Sequence, residues 1–219
     1  MLQKKDPLNL TGKVAVITGG SSGIGLGVCE LLSAYGAKIA MVDISPKGEE
    51  KAKELRDAGR EAAFFQCDVT NEEQVKKTVD AIVAKYGKID ILHNNAGVTL
   101  RKTIADLTEK EWDFVLDVGL KGLFLFSKHV IPVMAANGGG SIINTGSGWG
   151  LKGGDQAAAY CAVKCGIVNV TRAMAIDHGH QNIRVNSINP GDTVTAMLRD
   201  EGRQTGVEKE GDPQMDAYL

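Results

Sequence analysis

The sequence carries no excess charge of either sign. Its 25 basic residues stand against 27 acidic ones, a net charge of −2, so no field draws it to nucleic acid or to a membrane surface. Cysteine is scarce and unpatterned: Cys29, Cys67, Cys161 and Cys165 form no C-x-x-C pair and no dense framework, which reads as reduced thiols in a cytoplasmic protein. Cys161 and Cys165 flank Lys164 with no nearby histidine and are expected to be small packed residues. His93, His129, His178 and His180 share no ligand spacing, so no metal site is expected. Long hydrophobic runs are missing too. The start, Met1 to Pro7, lacks an apolar signal core, and no later stretch supplies about eighteen uninterrupted apolar residues. There is no internal repeat, low-complexity tract or linker. With 219 residues, 43% of them hydrophobic, the chain can bury one full core, and 1–219 is expected to be a single domain.

What is present is an alternation of short apolar runs with longer helical patterns, the signature of an α/β fold built on one parallel sheet. Strands are expected at Val14–Ile17, Ala37–Val42, Ala62–Gln66, Lys88–His93, Ser141–Thr145 and Ile183–Ile188. Charge in helical pairs over 47–58, such as Glu49 with Lys53, marks a solvated helix face. Thr108-x-x-Glu111 is a capping box that opens a long helix to about residue 136, and a second long helix runs over 157–178. The first is apolar well beyond one stripe, which predicts a subunit partner on its far side.

The stretch that organises the chain is Thr18-Gly-Gly-Ser-Ser-Gly-Ile-Gly25, set between the first strand and a helix in which Leu26, Leu31 and Leu32 fall at helical spacing. Strand, glycine turn, helix opens a βαβ unit that receives a dinucleotide: the turn admits pyrophosphate and the helix N-terminus offers unpaired N–H groups. Its spacing, Gly19-x-x-x-Gly23-x-Gly25, is not the commonest fingerprint, and alone it reads equally as an ordinary turn. Asp43, 18 residues past Gly25 at the end of the second strand, can accept both adenosine ribose hydroxyls and would repel a 2′-phosphate. No basic residue follows at position 44 and Ser22 is not basic, so NAD is expected rather than NADP. Tyr160 and Lys164 lie four apart, one turn along a helix face. A phenol titrates near pH 10, and a nearby cation can lower it by roughly 1–3 units into catalytic reach. The pair also arises by chance on many helices. Ser147, thirteen residues upstream, can hydrogen-bond a substrate oxygen held against Tyr160.

With these residues assembled, the chain resembles the short-chain dehydrogenase/reductase family. The matching motifs are Thr18-Gly-x-x-x-Gly-x-Gly25, Asp68-Val69, Asn94-Asn-Ala-Gly97, Ser147, Tyr160-x-x-x-Lys164 and Pro190-Gly191-x-x-x-Thr195, in the family's order from about residue 8 to 200. The resemblance implies a single doubly wound parallel sheet with helices on both faces, Rossmann-like. It implies Tyr160 as the acid/base, Ser147 positioning the substrate oxygen, and Lys164 lowering the tyrosine pKa and holding the nicotinamide ribose. Gly19, Gly20, Ser21, Ser22, Gly23 and Ile24 would line the pyrophosphate site. Asp68, Val69 and Asn95 would surround the adenosine half, while Thr193 and Thr195 would contact the nicotinamide carboxamide. The long helices 109–136 and 157–178 would carry a homodimer or homotetramer.

Two positions depart from the family pattern. Gly119 stands where the family usually has an asparagine, 28 residues before the serine, which predicts a weakened or rerouted proton relay. Similar proteins also continue through a further helix and a seventh strand, so about 196–219 reads as an incomplete substrate-covering segment. The expected function is hydride transfer between NAD and a secondary alcohol or ketone, with Val98, Trp149, Leu151 and Met197 leaning towards a cyclic, polyol or steroid-like substrate. Two alternatives stay open: an NAD-binding sensor or assembly subunit without turnover, and epimerisation or dehydration through a transient ketone.

Overall fold

The computed structural model describes residues 8–206. Six strands, β1 Val14–Thr18, β2 Lys38–Asp43, β3 Ala62–Gln66, β4 Ile91–Asn94, β5 Gly140–Thr145 and β6 Ile183–Ile188, form one sheet of order β3-β2-β1-β4-β5-β6. Every pairing is parallel. The helices are α1 Gly23–Ala34, α2 Gly48–Asp57, α3 Glu72–Tyr86, α4 Glu109–Leu116, α5 Gly122–Ala136, α6 Ala158–His178 and α7 Ala196–Thr205. The chain reverses its winding between β1 and β4, which opens a crevice at the carboxyl ends of those strands.

β1 is buried along its whole length because it is covered on both sides. Val14 and Val16 pack into a large core with α3, α5 and α6 residues such as Val79, Phe126 and Ile167. Ala15 and Ile17 face a smaller core with Cys29 of α1 and Leu55 of α2. This two-faced burial is why the strand reads as a continuous apolar run.

Several expectations shift in detail. β4 starts at Ile91 rather than Lys88, because Asp90 is spent holding the start of β1: its carboxylate accepts from Val14 N at 2.9 Å and from Lys13 at 3.1 Å. The buried face of α1 is Gly25, Cys29 and Ser33, and Leu31 points to solvent. α2 is a solvated helix, but Glu49 pairs with Arg56 and Lys53 with Asp57. Cys165 is exposed and Cys161 half-buried rather than packed away.

The capping box forms in full, with Thr108 and Glu111 each bonding the other's backbone. The helix it opens is not uniform. A π-helical turn, Asp117–Lys121, separates α4 from α5, and Gly119 lies inside it. Phe124 on α5 and Ile176 on α6 are exposed apolar residues, at 55% and 81%.

Candidate active site

The β1–α1 turn is shaped by contacts only glycine permits. Gly19 has φ +64°, and a Cβ on Gly25 would stand 2.1 Å from the carbonyl oxygen of Gly19. The turn is therefore drawn tightly over the start of α1, whose first N–H groups face the crevice. Asn95 clamps it from just past the end of β4: its Nδ2 donates to the carbonyls of Thr18 and Gly19, at 3.2 and 3.3 Å. Asn94 does a different job. Its side chain donates to Ser127 and Asn144, and Asn144 donates to Thr171, a buried network that ties β4 and β5 to α5 and α6.

Asp43 ends β2 at the rim of the crevice. Its Oδ2 accepts from both the backbone N–H (3.0 Å) and the hydroxyl (2.6 Å) of Ser21, and its Oδ1 accepts from Ser45 N at 3.0 Å. One carboxylate thus orients the glycine turn and still faces the cavity.

That cavity, of about 850 Å³, runs along the carboxyl ends of the strands. Gly19, Ser22 and Ile24 line it beside Asp43, with Asp68, Val69 and Asn95 on the next wall. Ser147, Tyr160, Lys164, Thr193 and Thr195 line its other end. Three of the expected residues are not on the wall. Gly20 is buried against Met41, Ser21 is held by Asp43, and Gly23 packs against Thr195. Their part is to shape the turn. Val98, Trp149 and Met197 also line the cavity, whereas Leu151 is 64% exposed and turned away from it.

The reacting end is assembled from three elements. Ser147 follows β5 and starts a short turn of 3-10 helix, its hydroxyl accepting from Trp149 N at 3.2 Å. Its backbone N–H donates to Asn189 Oδ1 at 3.2 Å, which fixes it to the end of β6. Tyr160 and Lys164 come from the first turns of α6. The Lys164 side chain is buried, and its Nζ donates to the carbonyl oxygen of Thr145 at 2.7 Å. Burial lowers its pKa to about 8.

The sequence suggests that Lys164 lowers the tyrosine; in the structure its ammonium is hydrogen-bonded elsewhere. The ammonium lies 5.3 Å from the centroid of the Tyr160 ring and is committed to Thr145. Burial raises the Tyr160 pKa, the nearby Ser147 hydroxyl opposes that rise, and the charge of Glu201 adds to it. Desolvation wins because no cation bonds the phenol oxygen.

Sequence reasoning missed a layer of residues around this centre. Thr145 seats the lysine. Glu201 of α7 lines the cavity and pairs with Arg101 at 3.3 Å, and the Arg101 guanidinium lies 4.6 Å from the Trp149 ring centroid. Trp149 meets Tyr160 edge-on at 5.9 Å between centroids. Trp149 is expected in the pocket from the sequence, but Thr145, Arg101 and Glu201 carry no local signal, since an isolated Arg or Glu in a loop or polar helix looks like solvated charge.

The description of the family model that matches residues 13–206 is short chain dehydrogenase. The chain belongs to the short-chain dehydrogenase/reductase family. Among its relatives, an NAD-dependent glycerol dehydrogenase of Listeria innocua is 38% identical over 204 residues, 93% of this chain and 78% of that protein. A cyclopentanol dehydrogenase of Comamonas testosteroni is 39% identical over 188 residues, 85% of this chain and 75% of that one. Among solved structures, levodione reductase superposes with a TM-score of 0.89 at 34% identity, covering 95% of this chain and 82% of that one. This short-chain dehydrogenase/reductase is accordingly an oxidoreductase that uses a nicotinamide cofactor on alcohols or ketones. No helix among its described residues is long and apolar enough to cross a membrane, and no cluster of three or more metal-ligating side chains occurs among them.

Proposed function

We propose that the chain moves a hydride between NAD and a secondary alcohol or the matching ketone, with Tyr160 as the acid/base. The observation that carries this is the meeting of Ser147, Tyr160 and Lys164 at one end of a cavity whose other end holds Asp43 and the glycine turn. The residues present fit a dinucleotide: a turn too tight for a Cβ at Gly25 brings backbone and a helix N-terminus to the pyrophosphate position. The carboxylate of Asp43 lines the same cavity and would accept the adenosine ribose hydroxyls. Gly19, Ser22 and Ile24 would contact the phosphates, Asp68, Val69 and Asn95 the adenosine half, and Thr193 and Thr195 the carboxamide. A bound nicotinamide supplies the hydride acceptor or donor.

The protein's own residues handle the proton. The Ser147 hydroxyl bonds the substrate oxygen and holds it against Tyr160. A phenol whose pKa is raised by burial is protonated near neutrality, so Tyr160 stands ready to give its proton to a carbonyl oxygen. In the oxidative direction it takes that proton back, and this direction gains as pH rises. Lys164, anchored at Thr145 O, would hold the nicotinamide ribose through its ammonium.

Asp43, Ile44 and Ser22 around the ribose position support NAD over NADP: a carboxylate repels a 2′-phosphate and no base answers it. A small-molecule substrate, a cytoplasmic setting and one unit for both cofactor binding and catalysis complete the reading. The exposed Phe124 and Ile176 support assembly of a homodimer or homotetramer through the helices at 109–136 and 157–178.

The test is nicotinamide reduction by the purified chain, with NAD and then NADP, across secondary alcohols, beside Tyr160→Phe. Turnover with NAD that disappears in the variant supports the reading. Tight NAD binding without turnover on any alcohol replaces it with a binding protein, and interconversion of stereoisomers without net reduction replaces it with an epimerase.

A further inference from the structure

Resting on that reading of the cavity, we infer that Glu201 is a substrate subsite that selects neutral alcohols carrying a further hydroxyl beside the one that reacts. Glu201 is the carboxylate of α7 that faces the cavity close enough for its charge to act on Tyr160. It is held there from behind. Arg101 pairs with one carboxylate oxygen at 3.3 Å, the two side chains being only 11% and 14% exposed. The backbone N–H of Arg101 donates to Gln204 Oε1 at 2.8 Å, which binds the next turn of α7 to the same strand of chain. Arg101 itself lies over the Trp149 ring, and Trp149 meets Tyr160 edge-on. The carboxylate is therefore placed in register with the reacting phenol through a continuous set of contacts, Glu201 to Arg101 to Trp149 to Tyr160.

An ionised carboxyl group has about four acceptor positions, and Arg101 occupies one. The buried Thr99 hydroxyl stands beside Glu201 and acts on it as a hydrogen-bond donor, which takes a second position. Acceptor capacity thus remains on the cavity side, which Val98, Trp149 and Met197 also line. A half-buried carboxylate with unfilled acceptor positions favours a ligand that brings hydrogen-bond donors. An anionic substrate would meet repulsion from Glu201 and from Asp192, which lines the same region. A cationic one would meet the Arg101 guanidinium directly behind the carboxylate. A neutral hydroxyl suits both constraints, because it donates to Glu201 and leaves the ion pair intact.

The test measures equilibrium binding by calorimetry to Tyr160→Phe protein saturated with NAD, so that turnover plays no part. The ligands are cyclohexanol and the 1,2-, 1,3- and 1,4-cyclohexanediols, which share a ring and differ in the second hydroxyl. At least one diol is expected to bind about tenfold tighter than cyclohexanol, in line with a hydrogen bond to a charged group. Adding Glu201→Gln should remove that advantage and leave cyclohexanol within about twofold. The paired variant Arg101→Leu, Glu201→Leu, which takes out the ion pair without stranding a charge, should remove it as well. In protein that keeps Tyr160, Glu201→Gln should also lower the phenol pKa, read by tyrosinate absorbance. No diol advantage, an advantage that survives both variants, or equal losses for all ligands would overturn the subsite. If the diol preference appears and no alcohol is oxidised by the unaltered chain, the dehydrogenase reading falls and the subsite stands.

Discussion

Gly119 and Val163 are in such close contact that a Cβ on the glycine would stand 2.5 Å from Val163 Cγ1. Gly119 is buried in the π-helical turn, and Val163 is the neighbour of Lys164 on α6. Residue 119 is thus sealed by the helix that carries the acid/base pair. The glycine is a packing requirement set by a branched side chain opposite.

Gly119→Asn is therefore expected to lower stability. Gaining roughly 0.3 kcal/mol of helix propensity does not offset overpacking of roughly 1–3 kcal/mol. Gly119→Asn with Val163→Ala should recover most of the loss, giving a favourable coupling in a double-mutant cycle read by urea denaturation. Equal losses in the single and double variants would disprove the contact argument. The pH profile of the double variant then tests whether an asparagine here alters the proton relay.

Lys164 predicts an alkaline feature. Its pKa is depressed to about 8 by burial, so the ammonium discharges through pH 8 in the folded protein. NAD affinity should fall as pH rises through that value, with no matching inflexion in Lys164→Arg, whose charge persists. Titration calorimetry between pH 6.5 and 9.5 measures it.

His93 predicts acid lability. It is buried on β4, its Nε2 lies 2.9 Å from Thr145 Oγ1, and burial lowers its pKa from 6.5 to about 4. Thr145 in turn donates to Asn95 Oδ1, an oxygen that only accepts, so Nε2 carries the proton and the imidazole is neutral. Between pH 6.5 and 4 the unfolded chain binds a proton that the folded chain refuses. Stability should fall as pH drops through this window, by up to about 1.4 kcal/mol per unit. Urea midpoints at pH 7, 5.5 and 4.5 check this, and His93→Gln should flatten the slope.

Asp43 joins ribose recognition to the shape of the turn. Asp43→Ser should weaken NAD by at least about tenfold, in keeping with loss of charge-assisted hydrogen bonds. The ratio of NADP to NAD affinity should rise, because the repulsion is gone. An unchanged ratio would remove Asp43 from cofactor choice and leave it only as the anchor of Ser21.

Assembly through the long helices is checked by Phe124→Asp. A charge at this exposed apolar position should shift the particle towards a monomer in sedimentation velocity, with little change in the urea midpoint measured on the monomer. An unaltered sedimentation coefficient would place the interface elsewhere.

The order of elements, the parallel sheet and the motifs that line the cavity were legible in the sequence because each has a local cause. Val14–Ile17 of β1 and Ile39–Val42 of β2 are apolar runs because both faces are covered. The capping box at Thr108 and Glu111 is contained in four residues, and the glycine turn and the Tyr160–Lys164 spacing are equally local. What needed the tertiary structure were relations between segments far apart in the chain. Lys164 meets Thr145 across 19 residues, and Arg101 meets Glu201 across 100. The sign of the Tyr160 shift belongs here as well. Four residues of helix place a cation nearby, but whether it bonds the oxygen or leaves it to desolvation depends on where the β5 carbonyl stands. Gly119 shows the same division: its identity is read from the chain, and its reason is a methyl group on another helix.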